Sequence, residues 1–124
     1  MIIKKTIKLV LLTLCLYGST YAGNNIYSTN SNEEIFKKLG DFSNYKHIEI
    51  EEIISTGQTT PKDKPYNQNH DEWVYIVSGK AKMQIENKSI TLNKGDYLLI
   101  KSGETHWVTY TENKTEWIAI HLYI

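Results

Sequence analysis

The chain contains no arginine: all fourteen of its basic residues are lysine, balanced by fourteen acids. Lysine meets phosphate as a point charge and lacks the planar fork that clamps it bidentately. Phosphate substrates and nucleic acid therefore lose their usual partner residue. Cysteine is almost as scarce, with Cys15 alone in an N-terminal apolar run. A disulfide framework is excluded. Long apolar runs are missing too, since Leu9 to Tyr17 is far shorter than the roughly 20 residues needed to span a bilayer.

That short run has the order of a secretory signal. Lys4, Lys5 and Lys8 precede it, and Thr20 and Ala22 place small side chains before a cleavage point. Residues 1–22 are expected to be a signal peptide cut after Ala22; a retained membrane anchor is the alternative. A lipoprotein site at Cys15 is set aside because the large Leu14 precedes it. Cleavage leaves 102 residues carrying eleven lysines, fourteen acids and no cysteine, a net charge of −3. The product is a periplasmic or secreted single domain with no thiolate chemistry, no nucleic-acid partner and no stable membrane insertion.

Residues 23–46 read as a lead-in. Gly23 to Asn30 is small, polar and aperiodic, so little order is expected there. Ser31 and Glu34 have capping-box spacing and Gly40 can end the turn, which predicts one short helix over 31–40. Ile35, Phe36 and Leu39 would then cover one end of the core. From His47 on, the pattern is of strands. His47 to Ile54 alternates with Ile48, Ile50 and Ile54 inward, which turns His47, Glu49 and Glu51 to solvent. Ser55 to Lys64 is a loop at the mouth of the fold.

Glu72 to Ser78, Lys80 to Glu86, Ser89 to Leu92, Tyr97 to Ile100, His106 to Tyr110 and Glu116 to Ile124 complete a series of short strands. Their close spacing predicts an all-β antiparallel sandwich or barrel over 47–124. One core is expected, with Ala81, Met83 and Ile85 on the buried face of the second of these strands.

Two motifs carry a resemblance. Gly95 is followed after five residues by Lys101-Ser102-Gly103-Glu104-Thr105-His106 and, after three more, by Tyr110; Glu72 is followed after six intervening residues by Gly79. The chain resembles the cupin superfamily, whose members are small jelly-roll barrels of the RmlC-like type. The resemblance implies a single-domain barrel with Glu72 and His106 facing its interior. This chain departs from the family pattern in having Lys101 and Tyr110 for a proline and an asparagine. It also has Tyr66 and Gln68 where the family places two histidines ahead of the glutamate. His70 matches a non-ligand histidine of cupin loops.

The resemblance also implies chemistry. Neither Glu72 nor His106 can be buried without a partner. His106 and Glu72, with Gln68 as a neutral oxygen donor and His121 as a second imidazole, form a candidate set for a divalent transition metal (Fe, Mn, Ni or Zn). Without metal, Glu72 and His106 could act as general base and acid, or simply satisfy each other; His121 could equally hydrogen-bond within the core. Tyr66, His70 and Tyr110 are candidate ligand-pocket residues, and Tyr66, Trp73, Trp107 and Trp117 could line the barrel mouth. The expected partner is a small polar ligand or substrate. Three functions stay open: a metal-dependent enzyme, a non-catalytic binding module, and a module that mediates homodimer formation.

Overall fold

The computed structural model of the protein describes residues 24–27 and 32–124. The signal expected over 1–22 lies outside the described residues. Eight strands follow in order: β1 (Asn24–Asn25), β2 (His47–Thr56), β3 (Asp71–Ser78), β4 (Lys80–Ile85), β5 (Lys88–Asn93), β6 (Asp96–Ile100), β7 (His106–Thr111) and β8 (Asn113–Tyr123). All pair antiparallel, in a five-stranded sheet of order β1-β6-β3-β8-β2 and a three-stranded sheet of order β5-β4-β7. This is the expected all-β jelly roll, and all seven strands anticipated between His47 and Ile124 form.

Strand alternation decides what each sheet buries. Val74 and Ile76 of β3, Ile100 of β6, and Trp117 and Ala119 of β8 meet Ala81 and Met83 of β4 and Leu92 of β5 in the main core. Each large apolar side chain buried there contributes about 1.5–3 kcal/mol. The intervening residues of the larger sheet form a second apolar cluster instead of a solvated face. Trp73, Tyr97 and Leu122 are buried there beneath Ile26, Phe42 and Tyr45 of the lead-in. The single core expected from the sequence is thus two, one on each face of the five-stranded sheet.

Two glycines make the tight passages possible. At Gly79 (φ 82°) a β-carbon would stand 2.6 Å from the Lys114 carbonyl, and at Gly95 (φ 87°) it would stand 2.4 Å from the Tyr27 ring. Both positions need positive φ as well as the missing side chain.

Three expectations for the N-terminal half are corrected. No helix forms among the described residues 32–40. A helix this short depends on packing its apolar face, yet Ile35, Phe36 and Leu39 stay exposed, Phe36 at 89%. The lead-in is more ordered than expected at its start: Asn24 pairs with Tyr97, Asn25 with Asp96, and the Asn25 amide donates to Asp96 Oδ1 at 2.7 Å. Strand β2 faces the opposite way from the prediction. It pairs Glu51 with Ala119 and Ile53 with Trp117, both core residues, so Glu51 and Ile53 lie on the cavity side, although the Glu51 side chain stays 58% exposed, as the sequence predicted. Ile48 and Ile50 lie outward and exposed, Ile50 at 72%, while Ile54 is exposed at the border of the cavity.

Candidate functional site

The jelly roll encloses a cavity of about 360 Å³, near the lower end of the roughly 300–1,000 Å³ typical of small-molecule sites. Its apolar floor includes Val74, Met83, Ile100, Val108 and Trp117, and its polar groups include Glu51, Tyr66, Gln68, Glu72, His106 and His121. Glu72 and His106, distant in sequence, meet here as expected.

Asp71 joins the two loops that make this possible. It is buried beside Glu72 at the start of β3, where it accepts from the Tyr45 hydroxyl (2.5 Å), the Ser102 amide (2.7 Å) and Lys101 Nζ (3.3 Å). Burial alone would raise the Asp71 pKa, but these three donors outweigh it and hold the carboxyl below its usual range. The Gly103 amide donates to the Gln68 carbonyl (2.8 Å), and Tyr66 and His106 exchange both backbone bonds at 2.9 Å. Lys101, which replaces the family's proline, is therefore part of the clasp.

His106 is 3% exposed and Glu72 8%. The His106 Nδ1 lies 3.0 Å from the Glu104 carbonyl, which can only accept, so Nδ1 carries the proton. Nε2 faces Glu72 Oε2 at 3.9 Å. With Nε2 unprotonated the two would be acceptors facing each other across a buried gap, and a proton on Nε2 or a metal ion between them would satisfy both. The Tyr66 ring stacks on His106 (centroids 5.4 Å apart, planes 22° apart) and fixes its orientation. Gln68 adds a buried side-chain oxygen, Oε1, with no hydrogen-bond partner.

On the other wall, β8 brings His121 opposite Glu72 across the β3 pairing. Its Nδ1 contacts His70 Nε2 at 2.9 Å and its Nε2 faces Glu51 Oε1 at 3.4 Å. Both ring nitrogens are thus engaged within the protein. His70 stands at the outer mouth, stacked on Tyr123 with ring centroids 4.4 Å apart.

Among the described residues, no three histidine, cysteine, aspartate or glutamate side chains are grouped to hold a metal ion. The donor set that fits the cavity consists of His106 Nε2, Glu72 and the orphaned Gln68 Oε1. Hard and borderline divalent ions accept such mixed nitrogen and oxygen ligands.

Tyr110 does not join the pocket. A register shift places Val108 opposite Met83 but Tyr110 opposite Lys82. The extra residue turns Tyr110 to the outside, where Lys82 Nζ lies 5.6 Å from its ring centroid. Trp73 belongs to the second core, and Trp107 lines a separate cleft with its indole donating to the Lys62 carbonyl at 3.1 Å. Of the four aromatics expected at the mouth, only Tyr66 and Trp117 line the cavity. Glu51 is the site residue that sequence reasoning missed. The available signal was Ile53, which shares its strand face and could have set the inward register.

A family model described as "Cupin domain" matches residues 51–121. The chain belongs to the cupin superfamily. A crystal structure from Ralstonia eutropha JMP134, named provisionally as a mannose-6-phosphate isomerase, is 32% identical and superposes with a TM-score of 0.61, covering 82% of this cupin and 97% of that chain. A cupin superfamily protein from Desulfitobacterium hafniense DCB-2 is 16% identical with a TM-score of 0.56, covering 77% of this chain and 83% of that one. An RmlC-like cupin from Shewanella frigidimarina NCIMB 400 is 14% identical with a TM-score of 0.54, covering 62% and 67% respectively. The last two establish fold alone. No curated protein matches the chain.

Proposed function

We propose that this chain is an exported cupin that takes a small polar molecule into its barrel, beside a divalent first-row metal ion held by Gln68, Glu72 and His106. One observation carries the reading: His106 Nε2 faces Glu72 Oε2 at 3.9 Å inside the cavity, with Nδ1 turned to the Glu104 carbonyl. A bound ion would supply Lewis acidity toward a ligand oxygen, and three protein donors would leave it an open position. The chain's own residues do the rest. Glu104 and Tyr66 orient His106, the Asp71 clasp holds Gln68 and Glu72 at the cavity wall, and the apolar floor excludes bulk water.

Export is supported by the basic start, the short apolar run and the small residues at Thr20 and Ala22. Purified protein loaded with iron, manganese, nickel or zinc and then dialysed should retain about one equivalent. His106→Ala should retain almost none. Undiminished retention by that variant overturns the metal assignment.

A further inference from the structure

Strand β7 ends one side of the three-stranded sheet and presents two different faces. His106 and Val108 line the barrel cavity, while Trp107 lies on the outer face, opposite Gln84 of β4. Residues 59–62 run along the outer edge of β7: the Thr60 amide donates to the Val108 carbonyl at 2.8 Å, and the Val108 amide donates to Thr60 Oγ1 at 2.9 Å. Between this segment and the sheet lies a cleft of about 330 Å³, lined by Thr59, Thr60, Lys62, Gln84, Trp107 and Thr109. It is nearly as large as the barrel cavity and within the range of small-molecule sites.

Trp107 is the unusual member of this lining. Trp73 and Trp117 are buried in the two cores, whereas Trp107 stays partly exposed. Its indole N–H donates to the Lys62 carbonyl at 3.1 Å. The one hydrogen-bonding group of the indole is thereby used within the protein, and what remains for a ligand is a flat apolar ring held in one orientation. Thr109 is the extra residue of the β7 register shift, between Val108, opposite Met83, and Tyr110, opposite Lys82. Bulges re-aim side chains, and this one leaves a hydroxyl in the cleft with the ring.

The rest of the lining is polar with little charge. The threonine hydroxyls and the Gln84 amide can each donate and accept. Lys62 is the one charged side chain, and none of the described residues lining the cleft is acidic. A wholly apolar ligand would strip water from these groups and leave them unpaired, which costs free energy. A cation would find no carboxylate, and an anion would meet a single, strongly hydrated lysine. A pyranose fits both parts of the lining: its C–H face is apolar and can lie on an aromatic ring, and the hydroxyls at its edge both donate and accept.

We propose that this cleft is a second binding site, outside the barrel, for a neutral saccharide stacked on Trp107 and hydrogen-bonded by Gln84 and Thr109. The site is independent of the barrel's ligand and of its metal ion.

The test titrates cellotetraose and chitotetraose, neutral glycans with several pyranose faces, into the full protein with and without zinc. A glycan on the partly exposed Trp107 should shift the tryptophan emission. Calorimetry should give a Kd on the order of 1 mM or tighter for at least one of the two, unchanged by zinc. Trp107→Ala should lower that affinity by about tenfold or more, and Trp107→Phe should restore part of it. Gln84→Ala and Thr109→Ala leave the bond between Trp107 and Lys62 in place, and each should weaken binding about three- to tenfold, the share of one hydrogen bond. Thermal melting of each unliganded variant confirms folding. Absence of binding by both glycans overturns the proposal, whatever the barrel holds. Binding that survives Trp107→Ala but is lost in Glu72→Gln places the sugar in the barrel, which overturns the second site and leaves the barrel reading standing.

Discussion

The Glu104 carbonyl, 3.0 Å from His106 Nδ1, decides which nitrogen of His106 faces Glu72. With Nδ1 committed as a donor, Nε2 is the nitrogen that faces Glu72 Oε2, at 3.9 Å, a separation too long for a hydrogen bond and short enough to share a metal ion.

Glu72→Gln tests that asymmetry. A glutamine can donate its side-chain N–H to the His106 lone pair, converting two acceptors into a donor and an acceptor. Chemical denaturation should show stability unchanged or raised by about 1 kcal/mol, while retained metal falls. A loss of several kcal/mol would mean that Glu72 and His106 already satisfy each other.

Asp71 should govern the acid sensitivity of the site. Its carboxyl is held below the ordinary 3.8 in the folded protein, so the stability it contributes is present above that value and lost as pH falls through the lower folded value. Asp71→Asn should cost about 2–4 kcal/mol at neutral pH. The gap between wild type and variant in urea melts should narrow below pH 3.8. A constant gap would assign the clasp to shape instead of charge.

The facing of β2 gives a sharper mutational contrast than its composition suggests. Ile50→Asp, on the exposed outer face, should change stability by no more than about 0.5 kcal/mol. Leu92→Ala, in the fully buried core, should cost about 2–5 kcal/mol. A severe Ile50→Asp effect in the monomer would contradict the register; one that appears only with a change in molecular mass would place β2 in an interface.

Tyr110→Ala should leave ligand and metal binding unaltered, because the β7 register shift turns Tyr110 out of the barrel. Isothermal titration of wild type and variant checks this, and a tenfold weakening would contradict the placement.

Much of the architecture was legible because it rests on alternation and glycine. Ala81, Met83 and Ile85 announced the buried face of β4, and Gly79 and Gly95 marked turns that tolerate no side chain. The Glu72 and His106 pair was legible through motif spacing. What escaped depended on contacts between distant elements. In β2, isoleucines stand at 48 and 50 with acids at 49 and 51, so a hydrophobicity rule turns the acids outward. Pairing with Trp117 and Ala119 turns Glu51 in. The helix expected over 31–40 had a cap and an apolar face but no surface to receive it. Trp73 looked like a pocket residue because the second core under Phe42 and Tyr45 has no local signature. Tyr110 could not be placed without the bulge beside it.

The central claim, a cation shared by His106 and Glu72, is tested most directly by a nitrogen-15 NMR titration of the histidine rings with zinc. The account predicts that His106 Nε2 shifts and saturates at about one equivalent, while His106 Nδ1 keeps its proton and the His70 and His121 resonances hold their positions. An unmoved His106, or a response led by His121, would contradict it.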